Sequence, residues 1–155
     1  MPKNNIFAEK DLSLFEQGEH THIYKFLGSH IKETDGVSGC RFAVWVPQAK
    51  SVCVTGEFDG WSGDKHYMEP VGSSGIWEGF VPDAAEDMLY KYVIESDTGE
   101  MFYKADPYAF SAEKRPGTAS KIAKLDYEWN DEKWLAERRK TSHFEKPLNM
   151  YEMHL

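Results

Sequence analysis

The chain has 155 residues, 41% of them hydrophobic and 14% aromatic, which suits one packed domain with appended structure and excludes a disordered chain. Its 26 acidic residues outnumber 18 basic ones for a formal charge of -8, so a phosphate-gripping nucleic-acid surface is not expected. No apolar run approaches the ~20 residues that cross a bilayer, and the opening MPKNNIFAEKD has no signal-like apolar core, so the expectation is a cytoplasmic chain with no membrane partner.

Leu12, Phe15, Ile23, Phe26 and Leu27 recur at roughly helical spacing, interrupted near Gly18, and predict two short helical turns or helices. The segment HIKETDGVSG reads as a polar loop, so residues 1–38 are expected to form a helical or irregular lead-in. From Gly39 the period becomes two. Cys40, Phe42, Val44 and Val46 alternate with Arg41, Ala43, Trp45 and Pro47, and the proline closes the strand. Further strands are predicted at Val52–Thr55, Ile76–Val81, Leu89–Glu95, Glu100–Lys104 and Thr118–Leu125, with SDTG as a hairpin turn and GSSG as a flexible one. Short strands with almost no helix between them describe an antiparallel sandwich over residues 39–126.

Residues 127–155 differ. Asn130 is placed to cap DEKWLAERRKT, with acidic residues first and basic residues last, and Trp134, Leu135 and Arg138 suggest one face against the sandwich. The alternating LNMYEMHL at the end predicts a strand whose sheet lies beyond this sequence, and Tyr151 or Met153, if exposed, would favour self-association through it.

Little here is built for catalysis. Asp59 and Asp64 flank a turn, Asp106 precedes Pro107, and Glu132 opens a helix; each has a local backbone role, and no carboxylate pair is assigned to glycosidic chemistry. His20, His22 and His30 are read as surface histidines, without the further ligands that zinc needs. Cys40 and Cys53 sit in strand-like runs that could face each other across a sheet, and are read as buried thiols. No catalytic residue, cofactor or metal site is therefore expected. Aromatics remain. Trp77 and Tyr92 fit the core, whereas Trp61, after Asp59-Gly60 and outside any alternating run, is either a core plug or a platform on which a sugar ring could lie.

Longer strings are more specific. RFAVWVPQAKSVCVTGEFDGW (Arg41–Trp61), YKYVIESDTGEMFYKADPYAF (Tyr90–Phe110) and RPGTASKI (Arg115–Ile122) resemble the non-catalytic sandwich ahead of the barrel in alpha-glucan branching enzymes. PLNMYEMHL resembles the first strand of that barrel, and IYKFLGSH the segment before the module in bacterial enzymes. The resemblance implies an all-β, immunoglobulin-like antiparallel sandwich with short N- and C-terminal helical segments. It also implies a parent enzyme that cuts alpha-1,4 and forms alpha-1,6 glucosidic bonds without a cofactor, using an aspartate and a glutamate on later barrel strands, so the chain itself is expected to be inactive. Its partners would be alpha-glucan and the catalytic barrel of the same parent. Relatives that grip glucan firmly have a tryptophan at Trp61, a lysine at Lys91, a tryptophan at Tyr103, a leucine near Pro116 and an asparagine near Ser120. A hydroxyl at Ser120 has a shorter reach than an amide and lacks its donor pair. Weak glucan binding through Trp61, Lys91, Tyr103 and Ser120 is one reading; a purely structural domain is another. The same module from a debranching or related enzyme is a third.

Overall fold

The computed structural model describes residues 7–140, 142, 144 and 147–154, and the chain divides into two units after Leu125. The first unit begins with helix α1 (Glu9–Glu16) and a 3-10 turn at Ile23–Lys25. Ten strands follow: β1 (Gly28–Thr34), β2 (Val37–Trp45), β3 (Ala49–Gly56), β4 (His66–Tyr67), β5 (Glu69–Pro70), β6 (Ile76–Pro82), β7 (Leu89–Ser96), β8 (Met101–Lys104), β9 (Ser111–Ala112) and β10 (Ser120–Lys121). They form two antiparallel sheets. One runs β1-β2-β6-β5; the other runs β4-β3-β7-β10-β9, with β8 sharing the second edge of β7. The chain is thus an all-β sandwich, as the alternating pattern predicts.

Alternation decides which side chains meet between the sheets. Phe42 and Val44 of β2, Val52 and Val54 of β3, and Tyr90 and Tyr92 of β7 all enter one core with Cys40, Met68, Val81 and Ile122. Trp77 packs against that core and donates from Nε1 to the Val46 carbonyl at 3.1 Å. Both cysteines are free and buried, one in each sheet; burial pushes the Cys40 thiol up to about 12. Asp106 does more than open a turn. It is buried and accepts from the Tyr90 and Tyr92 hydroxyls at 2.7 and 3.0 Å and from the Tyr108 amide at 2.8 Å.

A second cluster lies on the outer face of the β1-β2-β6-β5 sheet. Leu27, Ala43, Val71, Ile76 and Phe7 form it, with Leu12, Phe15, Ile23 and Phe26 of the lead-in packed on top. Buried Arg41 is sandwiched there: its guanidinium donates to the Phe26 carbonyl and lies 3.7 Å from Glu78. His20, expected on the surface, is largely covered, with its ring edge-on to Phe26 and Nε2 at 3.4 Å from Asp11.

Three further expectations are corrected. The polar HIKETDGVSG is a hairpin: β1 pairs with β2 along its length, and Asp35 and Gly36, at φ 52° and 78°, make the two-residue turn. GSSG is not merely flexible, since Ser74 Oγ donates to the Val71 carbonyl and accepts from the Ile76 amide, and a Cβ on Gly75 would come within 2.7 Å of Pro47. The last predicted strand shrinks to Ser120–Lys121.

In the second unit, α2 spans Glu132–Lys140, and Leu135 N–H donates to the Asp131 carbonyl, so the helix starts one residue later than a cap at Asn130 implies. None of its residues is buried, and Arg138 lies over the Trp134 ring at 5.3 Å. Residues 148–154 carry no strand and are exposed, because an extended segment becomes a strand only when it finds a hydrogen-bonding partner. Leu155 lies outside the described residues.

Candidate functional site

The outer face of the β3-β7 sheet is built by the odd-numbered positions that alternation turns away from the core: Ser51, Cys53 and Thr55 on β3, and Lys91, Val93 and Glu95 on β7. Cross-strand pairing puts Tyr103 of β8 beside Val93 and Tyr67 of β4 beside Cys53 on the same face. Over this surface folds the turn from Glu57 to Lys65, which carries Trp61.

Asp59 organises that turn. Its carboxylate accepts from the Gly56 and Trp61 amides at 3.0 and 2.9 Å and from the Thr55 and Ser62 hydroxyls at 3.0 and 2.9 Å. Burial disfavours the charged form, yet the hydrogen bonds from Gly56, Ser62, Thr55 and Trp61 outweigh it and hold the pKa below the ordinary carboxylate value. Thr55 Oγ1 in turn accepts the Gly63 amide at 3.1 Å, and Lys65 Nζ donates to the Asp59 carbonyl at 3.2 Å. These contacts hold Trp61 at φ 62°. A bulky side chain in the left-handed region costs on the order of 1–2 kcal/mol, so the turn is over-determined around one ring that remains 40% exposed.

Three of the four residues singled out from sequence gather here. Tyr103 reaches the turn, its hydroxyl 2.9 Å from where a Cβ on Gly63 would stand, and stays 55% exposed. Lys91, paired with Thr55 across the strands, donates from Nζ to Thr118 Oγ1 at 2.7 Å. Ser120 does not join them. It pairs with core-facing Tyr90, is buried, and accepts the Asp106 amide at 2.7 Å. Thr118 is the hydroxyl that sequence reasoning missed; nothing in the pattern signals that Lys91 would reach it. The exposed face therefore offers flat rings, the Lys91 and Lys65 ammonium groups and hydroxyls. That set suits a neutral polyhydroxy ligand, whose C–H faces lie on rings and whose hydroxyls hydrogen-bond nearby.

A sandwich with an exposed aromatic turn of this kind defines a carbohydrate-binding-type module. Residues 26–109 match the family described as carbohydrate-binding module 48 (isoamylase N-terminal domain), and the chain belongs to that family. Among whole proteins, it is 44% identical over 155 residues to the 1,4-alpha-glucan branching enzyme GlgB of Francisella tularensis subsp. tularensis, covering 98% of this chain and 24% of that one. Against the enzyme of the same name from Francisella philomiragia the identity is 41%, with the same coverage. The chain thus spans about a quarter of the length of the curated relatives it matches. Among solved structures, the Anoxybacillus pullulanase complexed with maltotriose aligns with a TM-score of 0.54 at 22% identity, over 76% of this chain and 15% of the other. The maltotriose complex of PulA from Klebsiella pneumoniae aligns at 0.51 and 23%, over 65% and 11%. These likenesses show the same fold. No helix among the described residues is long and apolar enough to cross a membrane.

Proposed function

We infer that this chain is the non-catalytic module of a cytoplasmic 1,4-alpha-glucan branching enzyme, a parent that cleaves alpha-1,4 and forms alpha-1,6 linkages on a barrel that this module positions. The 44% sequence identity to branching enzymes favours that parent over a debranching one, since the two pullulanases align at only 22% and 23% identity. The module's own part is to hold an alpha-1,4-glucan weakly on the outer face of the β3-β7 sheet. One observation carries this: Trp61 is locked in the left-handed region by Asp59 and left exposed on a turn that the Tyr103 hydroxyl meets at Gly63 and that leaves β3 next to Thr55, the strand partner of Lys91. In the binding itself, Trp61 and Tyr103 would supply ring faces, and Lys91, oriented by Thr118, would donate to sugar hydroxyls.

A second reading, a scaffold with no glucan affinity of its own, is favoured by the inward turn of Ser120, which removes one polar group from the face. Titration of the isotope-labelled chain with maltoheptaose, followed by backbone amide shifts, separates the two. Binding predicts shifts clustered at Trp61, Lys91 and Tyr103, and an affinity at least about tenfold weaker in Trp61→Ala. Absence of any shift at millimolar sugar selects the scaffold.

A further inference from the structure

We propose that Tyr67 is an outlying contact of the same glucan surface, on the far side of the Trp61 turn, so that the module discriminates long alpha-glucan chains from short ones. The proposal rests on the glucan-binding reading above and adds to it a residue and a length preference.

Tyr67, Cys53, Val93 and Tyr103 occupy one row across β4, β3, β7 and β8, each paired with the next. All four therefore share the outer face, because directly opposed residues of an antiparallel ladder point to the same side. Burial alternates accordingly through β4 and the residue after it: Met68 is in the core and the His66 ring packs edge-on to Phe58, while Tyr67 between them is 60% exposed. The middle of the row is closed. Gly63 sits over Val93 and the Tyr103 hydroxyl, and backbone groups of Lys65 and His66 lie against the buried Cys53 thiol as the turn returns to β4. The row thus has an exposed tyrosine at either end and the Trp61 turn between them.

Three interstrand steps separate the two tyrosines, about 14 Å between their backbones. A ligand of two or three sugar rings seated on Trp61 and Tyr103 would not extend over the turn to Tyr67, whereas a longer chain crossing it would. A phenol on the solvent side of a two-residue edge strand contributes little to the fold, and its ring is the kind of flat, low-entropy surface that the other end of the row offers.

The test compares maltotriose with maltoheptaose on the wild-type chain, Tyr67→Ala and Tyr67→Phe, with thermal unfolding of each confirming an intact fold. Tyr67→Ala is expected to weaken maltoheptaose about three- to tenfold, to leave maltotriose unchanged, and to be rescued by Tyr67→Phe. Equal weakening of both sugars, or no change in either, overturns the Tyr67 assignment while leaving binding at Trp61 standing. Wild-type protein that binds neither sugar overturns both, and a concentration-dependent change in oligomeric state lost in Tyr67→Ala would reassign the ring to self-association.

Discussion

The two sheets of this sandwich treat their outer faces in opposite ways. Outside the β1-β2-β6-β5 sheet, Ala43 and Ile76 are buried under Leu12, Phe15, Ile23 and Phe26, and even the Arg41 guanidinium is covered. Outside the β3-β7 sheet, Cys53 and Val93 are just as buried, yet what covers them is a polar turn, and Trp61, Tyr67 and Tyr103 stand exposed around it. Apolar strand residues alone do not distinguish the faces. The covering element does. A helical lead-in supplies large aliphatic and aromatic side chains and closes a second core; the turn clamped by a carboxylate sends its Phe58 ring against the main core, lays Gly63 over Val93 and leaves its Trp61 ring exposed.

This contrast predicts that damage to one face registers as stability and damage to the other as binding. The largest effect is expected at Ile76→Ala, which removes a fully buried side chain from the sealed face and should cost about 2–5 kcal/mol in urea unfolding while leaving the sugar affinity of the folded fraction intact. Parallel loss of affinity would mean the faces are coupled. Asp59→Ala should be smaller, about 1–2 kcal/mol, because several donors lose one acceptor, but it should also relax Trp61 from its left-handed backbone and weaken glucan binding. The acid dependence has a definite sign. Since hydrogen bonding depresses the Asp59 pKa in the folded state, its contribution is present above the ordinary carboxylate value near ~4 and is lost as pH falls through the folded value. The stability gap between wild type and Asp59→Ala should therefore narrow in acid, and a gap that widened would remove Asp59 as an ionised clamp.

How much of this could be read in the residues depends on where burial leaves a period. Cys40–Val46 and Leu89–Glu95 alternate cleanly because one side faces the core, and their strands are legible. β1 is not, since Ile31 is the one large apolar side chain it packs against the main core and its neighbours are histidine, lysine and glutamate; Asp35-Gly36 was the signal to weigh there. Trp61 stood out because it broke the pattern, while Lys91 and Tyr103 came through family resemblance. Ser120 failed for a physical reason: register opposite Tyr90 turns it inward. Tyr67 went unseen because a two-residue strand is too short to show a period.

The Asp35-Gly36 hairpin has a consequence for how the sandwich forms. Joining β1 to β2 closes a loop of two residues, whereas β3 meets β7 only after the intervening chain of residues 57–88 is gathered. Closure entropy rises with loop length, so the hairpin should assemble ahead of the β3-β7 pairing, with side-chain truncations at Ile31 slowing folding and those at Val93 mainly speeding unfolding. Stopped-flow refolding of the two variants would reveal the reverse order if it held. On this order the proposed glucan face of the β3-β7 sheet acquires its shape only after the opposite sheet has nucleated.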